Sequence, residues 1–269
     1  MTNEVWLSRM ASELRRRGVA PPLVDQAIAE ARVHLADSGA DPFAAFGLPE
    51  SYAAEVASAS RTVVTTCPEV GPVRLRARRV GKRYGRRWVF RDVDLTVRAG
   101  QAAAVVGANG CGKSTFLRIC AGLISPTQGE VVVNGTVGFC PQDGGTVDFL
   151  TPDEHFRLVG AGRRLTKAAA TAAGTALAAE LQWAPDATTA RHLSGGTRQK
   201  LNLTLAALGD PDVLLLDEPY QGFDRGSYLD FWHQVWRWRA EGKAVVVVTH
   251  LLDQLDRVDM VVDLTEGGR

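Results

Sequence analysis

The chain has 269 residues, 31 Lys and Arg against 30 Asp and Glu, and 45% hydrophobic residues. That length accommodates one ordinary α/β domain and a small second one, and a net charge of +1 does not argue for a polyanion partner, so no nucleic acid is expected. The longest apolar runs, Ala102–Val106 and Ala244–Val248, fall far short of the ~20 residues a membrane-spanning helix needs, and no basic-then-apolar secretion signal opens the sequence, so a membrane would be served only through a partner.

Residues 1–58 read as a small helical domain. Trp6, Met10 and Leu14 recur at helical spacing, Pro21-Pro22 open a second helix with an apolar stripe from Val24 to Leu35, Asp41 caps a short turn carrying Phe43 and Phe46, and Pro49-Glu50 start a last helix. Residues 59–72 lack periodicity and read as a linker. From Val73 the pattern becomes strand-like: Val73–Val80 and Val93–Val97 alternate, and Ala102–Val106 is a buried strand leading into a glycine loop and a helix, Lys113–Ala121. Glu130–Val133 and Thr136–Cys140 flank Asn134-Gly135, a hairpin turn signal. Residues 151–207 are mainly helical, including the alanine-rich run Ala168–Ala179. Strand Val213–Leu216, helix Ser227–Ala240, strand Ala244–Val248, helix Leu251–Arg257 and strand Met260–Leu264 close the chain. The alternation predicts a parallel sheet whose working edge lies at the strand C-termini. The four cysteines, Cys67, Cys111, Cys120 and Cys140, match neither a zinc nor a disulfide spacing and read as thiols in a reducing compartment.

Two motifs carry chemistry on their own. Gly107-Ala108-Asn109-Gly110-Cys111-Gly112-Lys113-Ser114-Thr115 fits a phosphate-binding loop between strand and helix. Its glycines let several N–H groups face one anion, the helix start adds its positive dipole end, Lys113 would reach the β- and γ-phosphates, and the Ser114 hydroxyl would bind Mg²⁺. Asp217-Glu218 ends an apolar strand and leaves two carboxylates at the sheet edge. Asp217 would hold Mg²⁺, and Glu218 would polarise an attacking water.

The segment Leu193-Ser194-Gly195-Gly196-Thr197-Arg198-Gln199 stands between these motifs. With them, it makes residues 73–269 resemble an ATP-binding cassette (ABC) ATPase domain. That resemblance implies a P-loop α/β fold with a parallel sheet core, an antiparallel β subdomain and a helical subdomain at about 145–207, preceded here by the small all-α domain. It implies ATP and Mg²⁺ as cofactors, and a dimer in which Ser194, Gly195 and Gly196 face the γ-phosphate held by a second ABC domain, identical or paralogous. Gln142 resembles the Q-loop glutamine, which senses Mg²⁺ and the water. His250 resembles the switch histidine that contacts the γ-phosphate, and Asp224 keeps the acid of the D-loop, although Gly222-Phe223 replace the usual Ala-Leu and Tyr220 stands where Thr is frequent. Tyr84 matches the adenine-stacking aromatic, with Trp88 or Phe90 as alternatives. The implied function is the ATP-hydrolysing subunit of a bacterial ABC transporter, at the inner face of the membrane, working with a multi-span permease on a separate chain. Leu150–His155 resembles export-type cassettes. The rival readings are a soluble ABC ATPase of the iron–sulfur-assembly type and a nucleotide-regulated switch without turnover. His34-Leu35 and Phe46–Ala53 resemble the helical HAAS domain, which implies a docking or regulatory module.

Overall fold

The computed structural model describes residues 3–17, 24, 27–28, 31–32, 35, 41–54, 71–249 and 257–264. His250, Cys67, His34, nearly all of the expected linker and the expected helix after Thr249 up to residue 256 lie outside that set, as does much of the expected second helix. The chain divides into two units, Met1–Pro68 and Glu69–Arg269.

In the first unit, helix α1 (Asn3–Arg16) buries Trp6, Met10 and Leu14 along one stripe, as their spacing requires. The indole Nε1 of Trp6 donates to the Gly47 carbonyl at 3.0 Å, satisfying the one polar atom of that ring. Helix α2 (Pro42–Phe46) begins at Asp41, whose carboxylate accepts the Phe43 N–H, with Pro42 in the first turn. Phe46 and Tyr52 pack on Trp6 with ring centroids 5.4 and 5.8 Å away. At the end of α1 the Arg16 guanidinium, aided by Arg17, holds the Glu13 carboxyl far below the usual range, at about 2.

The second unit contains two sheets. Strands β1 (Val73–Tyr84), β2 (Arg87–Arg98) and β4 (Gln128–Val133) form an antiparallel sheet in the order β2-β1-β4. Strands β3 (Ala102–Val106), β5 (Val137–Cys140), β6 (Val213–Asp217), β7 (Ala244–Val248) and β8 (Met260–Asp263) form a wholly parallel sheet in the order β5-β6-β7-β3-β8. Strands β3, β6 and β7 are buried at every position. This explains why they read as continuous apolar runs, because a parallel strand covered on both faces has no solvent side to alternate with. One core joins Phe90, Leu95 and Val97 to helix α3 (Lys113–Cys120) and one face of the parallel sheet. The other face packs on α7 (Arg225–Ala240), which contributes Phe231, Trp232, Val235 and Trp238.

The expected hairpin at Asn134-Gly135 does not form. β4 pairs with β1 and β5 pairs with β6, so the chain crosses there from one sheet to the other. The local turn signal is satisfied by a long-range joint. Asn134 donates its backbone N–H to Arg74 O at 2.8 Å and its side-chain amide to Val73 O at 3.0 Å. Gly135 takes φ +125°, and a Cβ there would strike the Asp212 side chain. Asp212 in turn accepts the Thr136 N–H at 2.8 Å and pairs with Arg74 at 2.9 Å.

Three helices fill residues 151–207: α4 (Pro152–Gly162), α5 (Lys167–Glu180) and α6 (Gly195–Ala207). Phe156, Leu201, Leu205 and Leu208 form their shared core. Thr151 and Glu154 cap α4 reciprocally, each side chain accepting the other's backbone N–H.

Candidate functional site

The C-terminal ends of β3 and β6 open into one cleft of about 710 Å³, lined by Val89, Asn109, Gly110, Gly112, Lys113, Ser114, Thr115, Gln142, Glu218 and Gln221. The topology places it there. β3 runs straight into the glycine loop, its neighbour β7 separates it from β6, and β6 delivers the two carboxylates at the same edge. A crevice at the carboxyl ends of parallel strands is where this architecture puts a ligand.

The loop from Gly107 to Gly112 is built for close backbone approach. Gly112 caps α3 in the left-handed region, φ +107°, and a Cβ there would fall within 2.8 Å of the Phe90 ring and closer still to Val89. Glycine is therefore required twice over, for conformation and for space. The Lys113 ammonium donates to the carbonyls of Gly107 and Ala108 at 2.9 and 3.2 Å, arching across its own loop. Cys111 is half-buried in the loop, while Cys120 and Cys140 are buried and their thiols are pushed up by desolvation, Cys120 to about 12.

Asp217 is fully buried, and neither of its carboxylate oxygens has a hydrogen-bond partner within bonding distance among the described residues. Burial raises its pKa, with the nearby Ser114 hydroxyl opposing and the Glu218 charge reinforcing the shift. A buried carboxylate without partners is costly unless something compensates it. An oxygen-seeking divalent cation fits this donor set, a carboxylate beside a hydroxyl.

Glu218 is also nearly buried and sits in the left-handed backbone region, φ +46°. Its Oε2 accepts from the Gln142 amide at 3.2 Å, so the structure brings together two residues that stand 76 positions apart in sequence. It also accepts from the Gln221 amide at 2.7 Å. Neither Gln221 nor Val89 belongs to a motif, and sequence reasoning missed both. Gln221 is recognisable only once the turn after β6 is known, and Val89 only once β2 is known to back the loop.

Ser194 is the N-cap of α6. Its hydroxyl accepts the Thr197 N–H at 3.2 Å and contacts the Thr197 hydroxyl at 2.8 Å. A Cβ on Gly195 would meet open space, whereas one on Gly196 would lie 2.8 Å from the Gly222 carbonyl. Gly195 and Gly196, adjacent in sequence, are thus glycines under different constraints. Asp224 is exposed and caps α7 by accepting the Ser227 N–H at 2.7 Å, a bond that lowers its pKa. Ser194, Gly195, Gly196 and Asp224 do not line the cleft of their own chain.

Tyr84 ends β1, is 56% exposed and does not line the cleft; the Lys82 ammonium sits 5.1 Å from its ring centre. Phe90 is fully buried against Phe116, which removes it as a stacking platform. The guanidinium groups of Arg83 and Arg91 lie 5.5 and 4.3 Å from the centre of the Trp88 ring. These contacts, with the Arg74–Asp212 pair, engage several cations of the basic stretch along β1 and β2.

Comparison with known proteins shows the chain to be similar to ABC transporter ATP-binding proteins. The family described as ABC transporter matches residues 90–221. The aliphatic sulfonates import ATP-binding protein SsuB of Burkholderia pseudomallei is 32% identical over 275 residues, covering 96% of this chain and 76% of that protein. The Nod factor export ATP-binding protein I of Cupriavidus pinatubonensis is 33% identical over 213 residues, covering 72% of this chain and 64% of that protein. Among solved structures, one described as an ATP-binding subunit of an ABC transporter superposes with a TM-score of 0.65 at 26% identity, covering 71% of this chain and 85% of that one.

Proposed function

Since this chain belongs to the ABC transporter family of ATP-binding, ATP-hydrolysing proteins, we propose that it is the subunit whose nucleotide cycle drives a multi-span membrane permease carried on a separate chain. The observation that carries the reading is the meeting, in one cleft, of the phosphate loop with Gln142 and Glu218. Among the described residues no helix is long and apolar enough to cross a membrane.

In this reading ATP enters the cleft with its phosphates on the loop amides and the start of α3. The Lys113 ammonium exchanges its two carbonyl partners for phosphate oxygens, a stronger charge-assisted pairing. Ser114, Asp217 and Gln142 would hold Mg²⁺, which supplies charge neutralisation on the transferring phosphate. Glu218 takes the proton of the attacking water, its carboxylate oriented by the Gln142 amide. His250 would contact the γ-phosphate, and Tyr84 or Trp88 would cover the adenine. A second ABC domain presents its Ser194, Gly195 and Gly196 to the same γ-phosphate from the outside, and Asp224 lies at that junction. Export is the direction we favour. It rests on the segment Leu150–His155, where Thr151 and Glu154 also serve as the cap of α4.

Glu218→Gln tests the chemistry. Turnover should fall by at least ~10²-fold while ATP binding persists, and an ATP-bound dimer should accumulate on size exclusion. Unchanged turnover would overturn the assignment. Capture from detergent-solubilised membranes should recover a multi-span protein. Recovery from the soluble fraction alone would favour the soluble ABC ATPase instead.

A further inference from the structure

Glu218 occupies a backbone region that costs an L-residue strain, and such strain persists only where the surroundings hold it. Resting on the reading of Glu218 as the base, we propose that the turn Tyr220-Gln221 is the device that holds it, with both residues acting as positioning residues for hydrolysis.

The two side chains leave the turn in different directions. Tyr220 goes into the core. It is 6% exposed, its hydroxyl bonds the Thr249 hydroxyl at 2.5 Å, and its ring packs against Tyr228 and Phe231 of α7 with centroids at 5.3 and 5.9 Å. Thr249 is itself tied to β3, donating its N–H to Val105 O at 3.1 Å, and Glu218 donates its N–H to Val248 O at 3.2 Å. The turn is therefore fastened to the ends of β7 and β3 as well as to its own strand.

Gln221 goes to the cleft. Its N–H donates to Glu218 O at 3.3 Å and its side-chain amide to Glu218 Oε2 at 2.7 Å, closing the turn twice. With Gln142 on the same oxygen, two amides fix the rotation of the carboxylate about its side chain. Both donors are neutral. A lysine in place of Gln221 would be shared between the carboxylate and the triphosphate, which compete for its charge, and an acid would repel both. An uncharged donor orients the base without altering the charge of the site.

The full-length protein tests this by steady-state ATPase kinetics, fluorescent-nucleotide binding and thermal melting. Gln221→Ala should lower kcat about tenfold, part of the rate a positioned base contributes, with KM and nucleotide affinity within about twofold of native, as expected when only an interaction of the reacting state is lost. Its melting temperature should fall only slightly, because Gln221 is exposed and Glu218 keeps its bond from the Gln142 amide. Tyr220→Phe keeps the ring and removes the hydroxyl, and should lower kcat about threefold with affinity again unchanged. Glu218→Gln is the control. If it turns over normally, the reading of Glu218 fails before this inference is reached. If it is inactive while Gln221→Ala keeps kcat within about twofold of native, or loses affinity and kcat together, the positioning role is overturned.

Discussion

Asp217 illustrates how a single residue can be set against the stability of its own fold. The Asp217 carboxylate is buried with no hydrogen bond of good geometry among the described residues, and burial raises its pKa against the smaller opposing effect of the nearby Ser114 hydroxyl. Replacing it by Asn removes a desolvated charge, so the nucleotide-free protein should become more stable by about 1–2 kcal/mol. That is a rise of roughly 2–6 °C in melting temperature for a chain of this size. On the proposed reading Mg²⁺ with ATP should stabilise the native protein further, and the same variant should lose that stabilisation and its turnover. Melting curves with and without Mg²⁺–ATP check both halves. An apo protein made less stable would mean that the buried carboxylate has a compensating partner. Gly112 carries the opposite lesson. A methyl at φ +107°, directed at Val89 and Phe90, forces the loop away from its backing. Gly112→Ala should therefore weaken nucleotide binding at least tenfold, a cost of more than about 1.4 kcal/mol, measurable by fluorescent-nucleotide titration.

Between the two sheets, the joint at Asn134-Gly135-Thr136 marks how far elements can be read from sequence. The continuous apolar strands β3, β6 and β7 were legible because parallel strands buried on both faces leave an unmistakable run. The glycine loop, Asp217 and Glu218 were legible because their chemistry fixes their spacing. The crossing between sheets was not, because Asn-Gly reports only the local bend and strand pairing is decided by partners far along the chain, β1 for β4 and β6 for β5. The turn after β6 escaped for the same reason. Nothing in Tyr220-Gln221 as text says that one side chain enters the core and the other the cleft. Asp212 is the residue that secures the joint, and it gives the joint a pH dependence. The Thr136 N–H holds its carboxyl below the ordinary range, against a smaller opposing effect of burial and with help from Arg74. An acid whose folded pKa is depressed contributes stability that is present above its unfolded value and lost as the pH falls through the folded value. Melting temperature should therefore drop on acidification across that carboxylate window. Asp212→Asn should flatten the part of the slope due to this group and, at neutral pH, cost about 1 kcal/mol. A slope identical in the two proteins would show that Asp212 is not a linked group.

On the scale of the whole molecule, the two glycines after Ser194 are constrained differently, and on the proposed dimeric reading they would separate what a protomer needs for itself from what it offers to another. Gly196 faces the Gly222 carbonyl of its own chain, so any side chain there disturbs the folded protomer. Gly195 faces open space at the start of α6, with Ser194 already occupied as its cap. A folded protomer leaves room for a Cβ at 195, so an intolerance of side chains there would point to a contact outside the chain. Gly195→Trp is accordingly expected to fold with an unchanged melting temperature and to bind ATP at the phosphate loop with native affinity. It should nonetheless fail to dimerise with ATP, and its turnover should fall at least tenfold and lose its steep dependence on protein concentration, since the composite site can no longer close. Gly196→Ala should instead lower the melting temperature, whatever becomes of the dimer. Sedimentation with and without ATP in the Glu218→Gln background, where closed dimers are expected to persist, reads the association directly. If Gly195→Trp still forms that dimer and hydrolyses ATP at the native rate, the outward face of α6 takes no part in catalysis, and a single protomer must complete the chemistry alone.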